Sequence, residues 1–263
     1  MSLIDILGYV GALIIGIVLG LIGGGGSILT VPLMVYLLGF NPVVATAYSL
    51  FVVGSSSIIG VFQKHRKQLV DFKTGFAFSF PSFLAVYISR RYFLPLIPEN
   101  LFEVNGLVLT KNMAIMIFFA IVMFFASISM IKGRKEIETP ITKQSYYKTF
   151  IQGLVIGTIT GLIGAGGGFL YVPALVLWAG LPMKKAVGTS LVIIAINSLI
   201  GFLGDVHHSE MHWGFLLTFS LTTVIGILIG GYYSKYVSNK KLKKSFGWFI
   251  MIMAIYILIK EII

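Results

Sequence analysis

Apolar runs separated by short polar stretches fill this chain, and the runs come in two lengths. Leu3 to Ile22, Val43 to Phe62, Thr74 to Leu96, Met113 to Ile131, Tyr147 to Ile163, Met183 to Leu203, Trp213 to Tyr236 and Phe246 to Ile262 carry few charges. A helix of about 20 residues, rising 1.5 Å per residue, covers a hydrocarbon layer of roughly 30 Å, so these runs suit membrane spans. Ser27 to Gly39 and Phe169 to Gly180 are shorter. At about 20 Å or less each is a half-helix. Asn41-Pro42 supplies a turn, a cap and a helix start after the first half-helix. The pattern predicts an all-α polytopic membrane protein with about eight longer helices and two half-helices.

Each half-helix follows a cluster of glycines. Gly20 to Pro32 reads GLIGGGGSILTVP, and the phrase returns from Gly161 to Pro173 as GLIGAGGGFLYVP. The gapless alignment continues to Gly60 and Gly201 with 17 identities in 41 pairs, which marks an internal repeat. The domains expected are therefore a first transmembrane repeat over 1–131, a cytoplasmic linker over 132–147 and a second repeat over 148–263. Non-helical backbone survives at membrane depth only where protein buries it or a cavity hydrates it. Two copies of a broken-helix unit point to a transporter's binding site at the interface of the repeats.

Charge sets an orientation. Lys64 to Lys67, the linker from Lys132 to Lys148, and Lys240 to Lys244 are placed in the cytoplasm by the positive-inside rule. The acidic loops around Glu99 to Glu103 and Asp205 to Glu210 then lie outside, as do both termini. Alternation requires each half-helix to return toward the face its predecessor entered from. The expected architecture is two inverted repeats of about four helices, each with a glycine-broken re-entrant hairpin. With 57% hydrophobic residues, 11% charged and a mean hydropathy of +0.96, the chain leaves no room for a soluble catalytic domain. The net charge of +11 collects in loops beside spans, facing lipid headgroups, and forms no extended nucleic-acid-binding face. The absence of cysteine excludes disulfides and thiolate metal sites. The first run lacks a basic n-region and reads as a retained span, not a cleaved signal.

The candidate chemistry lies at the half-helix ends. Gly23, Gly24, Gly25, Gly26 and Ser27 in the first copy, and Gly164, Ala165, Gly166, Gly167 and Gly168 in the second, precede helix amino ends. The first amides there lack intrahelical partners, and the dipole supplies about half a positive charge. Two such ends facing one another form a site for a small anion, held by backbone without a lysine in hydrocarbon. The plainer alternative is that these glycines only let helices pack closely. Ser57, Asn197 and Ser198, on the spans after each half-helix, are candidate side-chain donors, although such groups also bond to their own backbone. Asp205 is the candidate coupling acid, set against a plainer reading as a solvated loop acid. Arg90 and Arg91 are candidates for recruiting anions, set against a plainer reading as contacts to lipid headgroups. His207, His208 and His212 fall in an exposed polar loop, so no metal site is assigned, and no cofactor is implied. There is no GxSxG, no HExxH and no P-loop lysine, so the chain is not read as an enzyme.

GLIGGGGSILTVP and its echo GLIGAGGGFLYVP, with VVATAYSLFVV and KAVGTSLVIIAINSLIG, make the chain resemble the sulfite exporter TauE/SafE family of membrane permeases over essentially its whole length. The resemblance implies a two-halved transporter of sulfite, sulfonates or related organosulfur anions in a bacterial or archaeal inner membrane. The expected partners are a small anionic substrate and the lipid bilayer, with no nucleic acid; a homo-oligomer stays open. An anion channel on the same scaffold is the alternative. The two copies differ where Gly24 faces Ala165 and Ser27 faces Gly168 in the alignment, so the hairpins need not bind alike.

Overall fold

The computed structural model describes residues 3–24, 26–104, 107–132, 146–164, 166–205, 211–236 and 238–262. The helices are α1 (Leu3–Ile22), α2 (Ser27–Pro32), α3 (Pro42–His65), α4 (Phe72–Ile88), α5 (Leu94–Leu96), α6 (Lys111–Lys132), α7 (Tyr146–Ile163), α8 (Gly168–Leu177), α9 (Met183–Asp205), α10 (Trp213–Tyr233) and α11 (Asn239–Ile262). Among the described residues, five segments are long and apolar enough to cross a bilayer: Leu3–Ile22, Pro42–His65, Lys111–Ile128, Met183–Asp205 and Trp213–Tyr233. The protein is an all-α polytopic membrane protein in its main architecture.

Local chemistry sets the helix starts. Asn41 Oδ1 accepts from Val43 N at 2.9 Å with Pro42 in the first turn of α3, and Asp71 caps α4 by accepting from Thr74 N at 3.1 Å. The half-helix expected from Ser27 to Gly39 is α2 running into a π-helical turn, Leu33–Leu37. α4 likewise passes into a π-helical turn over Ser89–Phe93 before α5, so the run to Leu96 that the pattern predicts is not one regular helix. The acidic segment expected to be a loop is in part a β-hairpin, with Asn100–Val104 (β1) paired antiparallel to Leu107–Thr110 (β2). Its leucines, valines and phenylalanine suit strands better than a solvated loop. Most of the linker expected at 132–147 lies outside the described residues.

Glycines bring backbones together in two matched pairs of helices. A Cβ built on Gly16 of α1 would lie 2.1 Å from the Thr223 carbonyl oxygen of α10, and one on Gly20 would lie 2.4 Å from that of Ile227. At the corresponding positions of the second copy, a Cβ on Gly157 of α7 would lie 2.4 Å from the Ser82 carbonyl oxygen of α4, and one on Gly161 would lie 3.0 Å from Val86 Cα. Thr223 and Ile227 follow Ser82 and Val86 at the same offset that separates Gly161 from Gly20. The contacts are thus reciprocal: α1 packs on α10 as α7 packs on α4. The order of the contacts along each helix makes both pairs parallel.

α3 and α9 cross at the centre in opposite directions, since Gly60 meets Leu191 while Gly201 meets Leu50. α3 also runs parallel to α10, with the Tyr48 hydroxyl accepting from His212 N near one end and Lys64 Nζ donating to Ser234 Oγ near the other. α1 and α3 therefore point the same way although only the short α2 segment joins them. A second layer, α6 against α11, packs Met116, Phe119, Met123, Ile250 and Ile257 over Ile22 and Ile28 of the first glycine cluster and Ile163 and Phe169 of the second.

Candidate functional site

The two glycine clusters meet. A Cβ built on Gly24 would lie 2.2 Å from the Gly168 carbonyl carbon and oxygen, and one on Gly168 would lie 2.4 Å from Gly24 Cα. Only glycine at both places lets the backbones approach this closely. The leading glycines are matched as well: Gly23 (φ +86°) abuts Val187 on α9, and Gly164 (φ +69°) abuts Thr46 on α3, all four at aligned positions of the two copies. Gly166 faces the crossing of α3 and α9, where its Cβ would fall 2.9 Å from Ser198 Oγ, 3.0 Å from Val53 Cγ1 and 3.5 Å from Ile194 Cγ2. Gly26 packs on α1 at Ile15 and Leu19, and Gly167 packs on Thr160 of α7 and caps α8. Ser27 begins α2. Gly25 and Ala165 lie outside the described residues.

Ser57, Asn197 and Ser198 gather on the same crossing. Ser57 lies one helical turn beyond Val53, and Ser198 one turn beyond Ile194, the two residues that flank Gly166. Both serines are fully buried, and neither hydroxyl has a hydrogen-bond partner among the described residues. Asn197 donates through Nδ2 to Tyr171 OH at 2.7 Å and to Ser82 Oγ at 2.8 Å, while its Oδ1 has no partner among the described residues. An unsatisfied buried polar atom costs roughly 1–3 kcal/mol, so three on the two crossing helices need an explanation beyond packing. Buried Ser49, Ser89 and Ser220 likewise have no hydroxyl partners among the described residues, so the feature is not confined to this place.

The polar network behind Asn197 carries no signal in the one-dimensional pattern. Tyr171 is fully buried on α8, its hydroxyl hydrogen-bonded to Ser82 Oγ of α4 and 3.4 Å from Thr160 Oγ1 of α7. Its aligned counterpart, Thr30, bonds to its own backbone at Gly26 O instead. Sequence offers only a tyrosine inside an apolar half-helix, whose hydroxyl needs a partner once buried.

Arg90 is not at a lipid headgroup. It is completely buried; its Nε donates to Asp205 Oδ2 at 2.7 Å, its Nη2 pairs with the same oxygen, and both terminal nitrogens donate to Thr46 Oγ1 at 3.0 Å. Asp205 is the buried last residue of α9, not a solvated loop acid. An arginine near the end of an apolar helix demands a partner, and the packing of α9 beside it supplies Asp205. Thr46 links this pair to Gly164, so Asp205 stands outward from the glycine breaks, not within them. The histidine loop falls mostly at 206–210, outside the described residues; among those described, no group of His, Asp and Glu could hold a metal.

A family model described as Sulfite exporter TauE/SafE matches residues 9–257. A "Probable membrane transporter protein" of Xylella fastidiosa is 27% identical over 252 residues, covering 93% of this chain and 91% of that protein. One from Bacillus subtilis, YunE, of the same description, is 28% identical over 278 residues, covering 94% and 92%. Another from Haemophilus influenzae is 27% identical over 277 residues, covering 95% and 96%. No solved structure matches the chain. With glycine-broken helices meeting at the centre of a polytopic bundle, and a family match across nearly all of it, the chain belongs to the sulfite exporter TauE/SafE family of membrane transporters.

Proposed function

We propose that the protein carries a small sulfur oxyanion, such as sulfite or a sulfonate, across a bacterial or archaeal inner membrane by alternating access. The substrate lies between Gly23–Ser27 and Gly164–Gly168. The carrying observation is the meeting of Gly24 with Gly168, with Gly166 beside Ser198 Oγ, which like Ser57 Oγ and Asn197 Oδ1 on the α3–α9 crossing is buried with no partner among the described residues. Serine hydroxyls and helix amino ends donate to the oxyanion. Asn197 Oδ1 can only accept, which suits the proton of hydrogensulfite or a bridging water. No cation need lie in the site itself.

The repeats 1–131 and 148–263 are read as inverted, because α3 and α9 are aligned partners yet run in opposite directions. Each short helix is read as re-entrant, because α1 and α3 point the same way and α2 must bring the chain back. Substrate passes as one repeat rocks against the other around the glycine breaks. The lysine-rich ends face the cytoplasm, and labelling of Gln68→Cys by an impermeant maleimide in intact cells would reverse that orientation.

Proteoliposomes test the function directly. Radiolabelled sulfite uptake should saturate and show counter-flow, while Gly166→Val, which fills the space beside Ser198, should abolish it in protein that remains monodisperse. Sulfite flux that never saturates would make this a channel, and Gly166→Val protein transporting like wild type would misplace the site.

A further inference from the structure

The Arg90–Asp205 pair has a counterpart at the opposite end of the bundle, and it is built differently. The residue aligned with Asp205 is Lys64, near the end of α3. Thr46, which binds Arg90, and Lys64 are separated by about 27 Å along α3 at 1.5 Å per residue. Each buried cation stands just outward of a glycine break. Gly164 abuts Thr46, while Gly23 abuts Val187, whose neighbour Gly188 would bring a Cβ within 3.4 Å of Lys64 Cβ.

At the Arg90 end a carboxylate of the chain itself balances the charge. At the Lys64 end none does. Lys64 is 3% exposed, its ammonium donates to Ser234 Oγ at 3.2 Å, and no carboxylate of a described residue lies within ion-pair distance. The charges that do reach it are those of Lys67 and Lys184. Lys67 Nζ donates to Gly231 O at 2.9 Å, and Lys184 stands in the first turn of α9, which contains no acid and already carries the positive end of a helix dipole. Asp71, the nearest acid along the chain, is committed to α4, accepting from Thr74 N and Thr74 Oγ1, each at 3.1 Å. His65, Arg66 and Lys73 nearby are exposed and add no negative charge. A buried ammonium facing two more cations and a helix amino end is unfavourable until an anion joins it.

We propose that Lys64, Lys67 and Lys184 form a second oxyanion subsite, at the end of the path opposite Arg90, one step from the glycine breaks. This rests on the transport reading above and deepens it. The substrate waits at a lysine cluster on one side and meets an internally neutralised arginine on the other, so the aligned halves are not equivalent in how they handle charge. The burial of Lys64 between α3, α9 and α10 favours a small free oxyanion over a lipid headgroup, which offers the same chemistry from the bilayer surface.

Equilibrium binding of radiolabelled sulfite, sulfate and phosphate to the purified protein in phosphatidylcholine nanodiscs tests this. Wild type should bind an oxyanion at two sites. Lys64→Gln should weaken one of them by about tenfold or more, as expected for loss of a charge-assisted hydrogen bond, while Lys64→Arg retains it. Lys184→Gln, at an exposed position where misfolding is not expected, should weaken the same site and leave the other unchanged. If neither substitution alters the binding of any of the three oxyanions, the subsite does not exist, whatever sulfite transport shows. If phosphatidylglycerol in the nanodisc abolishes the Lys64-dependent binding, the cluster is a lipid site and the proposal is overturned. Lys64-dependent binding without sulfite uptake in proteoliposomes would instead keep the subsite and sink the sulfur-anion reading.

Discussion

A buried hydroxyl such as those of Ser57 and Ser198, with no partner among the described residues, contributes little to the fold that alanine would lose. Ser57→Ala and Ser198→Ala should therefore leave the protein at least as stable as wild type. Each should weaken oxyanion binding by about 0.5–1.5 kcal/mol, roughly two- to twelvefold. Thermal unfolding and binding measured on the same samples separate the two effects. The opposite balance holds for the buried ion pair. Asp205→Ala leaves Arg90 charged and buried with only neutral groups such as Thr46 Oγ1 and Gly161 O to accept from it, at a cost of about 3–5 kcal/mol. The double replacement Arg90→Met with Asp205→Leu removes both charges and should cost less than the single change. A double variant no more stable than Asp205→Ala would show that the pair is not the main term. Both serines were legible in the sequence because they occupy aligned positions on a span. Tyr171 and the Arg90–Asp205 link were not, because each joins positions far apart in the chain whose depths only the packed helices equalise.

The helix pairs show what patterning can and cannot convey. Glycines at four-residue spacing in α1, α7 and α10 are visible in the sequence and imply close packing. Their partners are not visible: α7 packs its glycines on the Phe78–Val86 stretch of α4, where Pro81 and Ser82 provide the low surface instead of a matching glycine series. Both half-helices were legible from length alone. The π-helical turns were not, since they depend on how the ends of α2 and α4 must turn to meet their neighbours; the strand pair had its signal in Leu101, Phe102, Val104 and Leu107–Leu109. Gly226→Leu tests the α1–α10 contact. A Cβ there falls 2.3 Å from the Leu13 carbonyl oxygen and 2.9 Å from Gly16 Cα, so the helices must separate at a cost of about 1–3 kcal/mol or more. Gly214→Ala, at the start of the same helix with nothing within 4 Å, should be neutral in the same thermal assay.

At the scale of the whole molecule, the reciprocal contacts mean that neither half is complete by itself. α1 finds its main partner in α10, while α4 finds its own in α7, so each half contributes the surface that covers the other. Time enters here. Gly16 leaves the ribosome long before Gly226, which it must meet. At roughly 5–20 residues per second, α1 waits in lipid for about 10–40 s with its glycine face against acyl chains. A first half made alone, ending at residue 138, should therefore be degraded or aggregate. Co-expressed with residues 139–263, it should be recovered as a complex by affinity capture of either piece. Independent survival of the first half would mean that it has a stable packing of its own. Membrane insertion and assembly are thus separate events for this chain, and a mutation in α10 can endanger a helix that entered the membrane well before α10 was made.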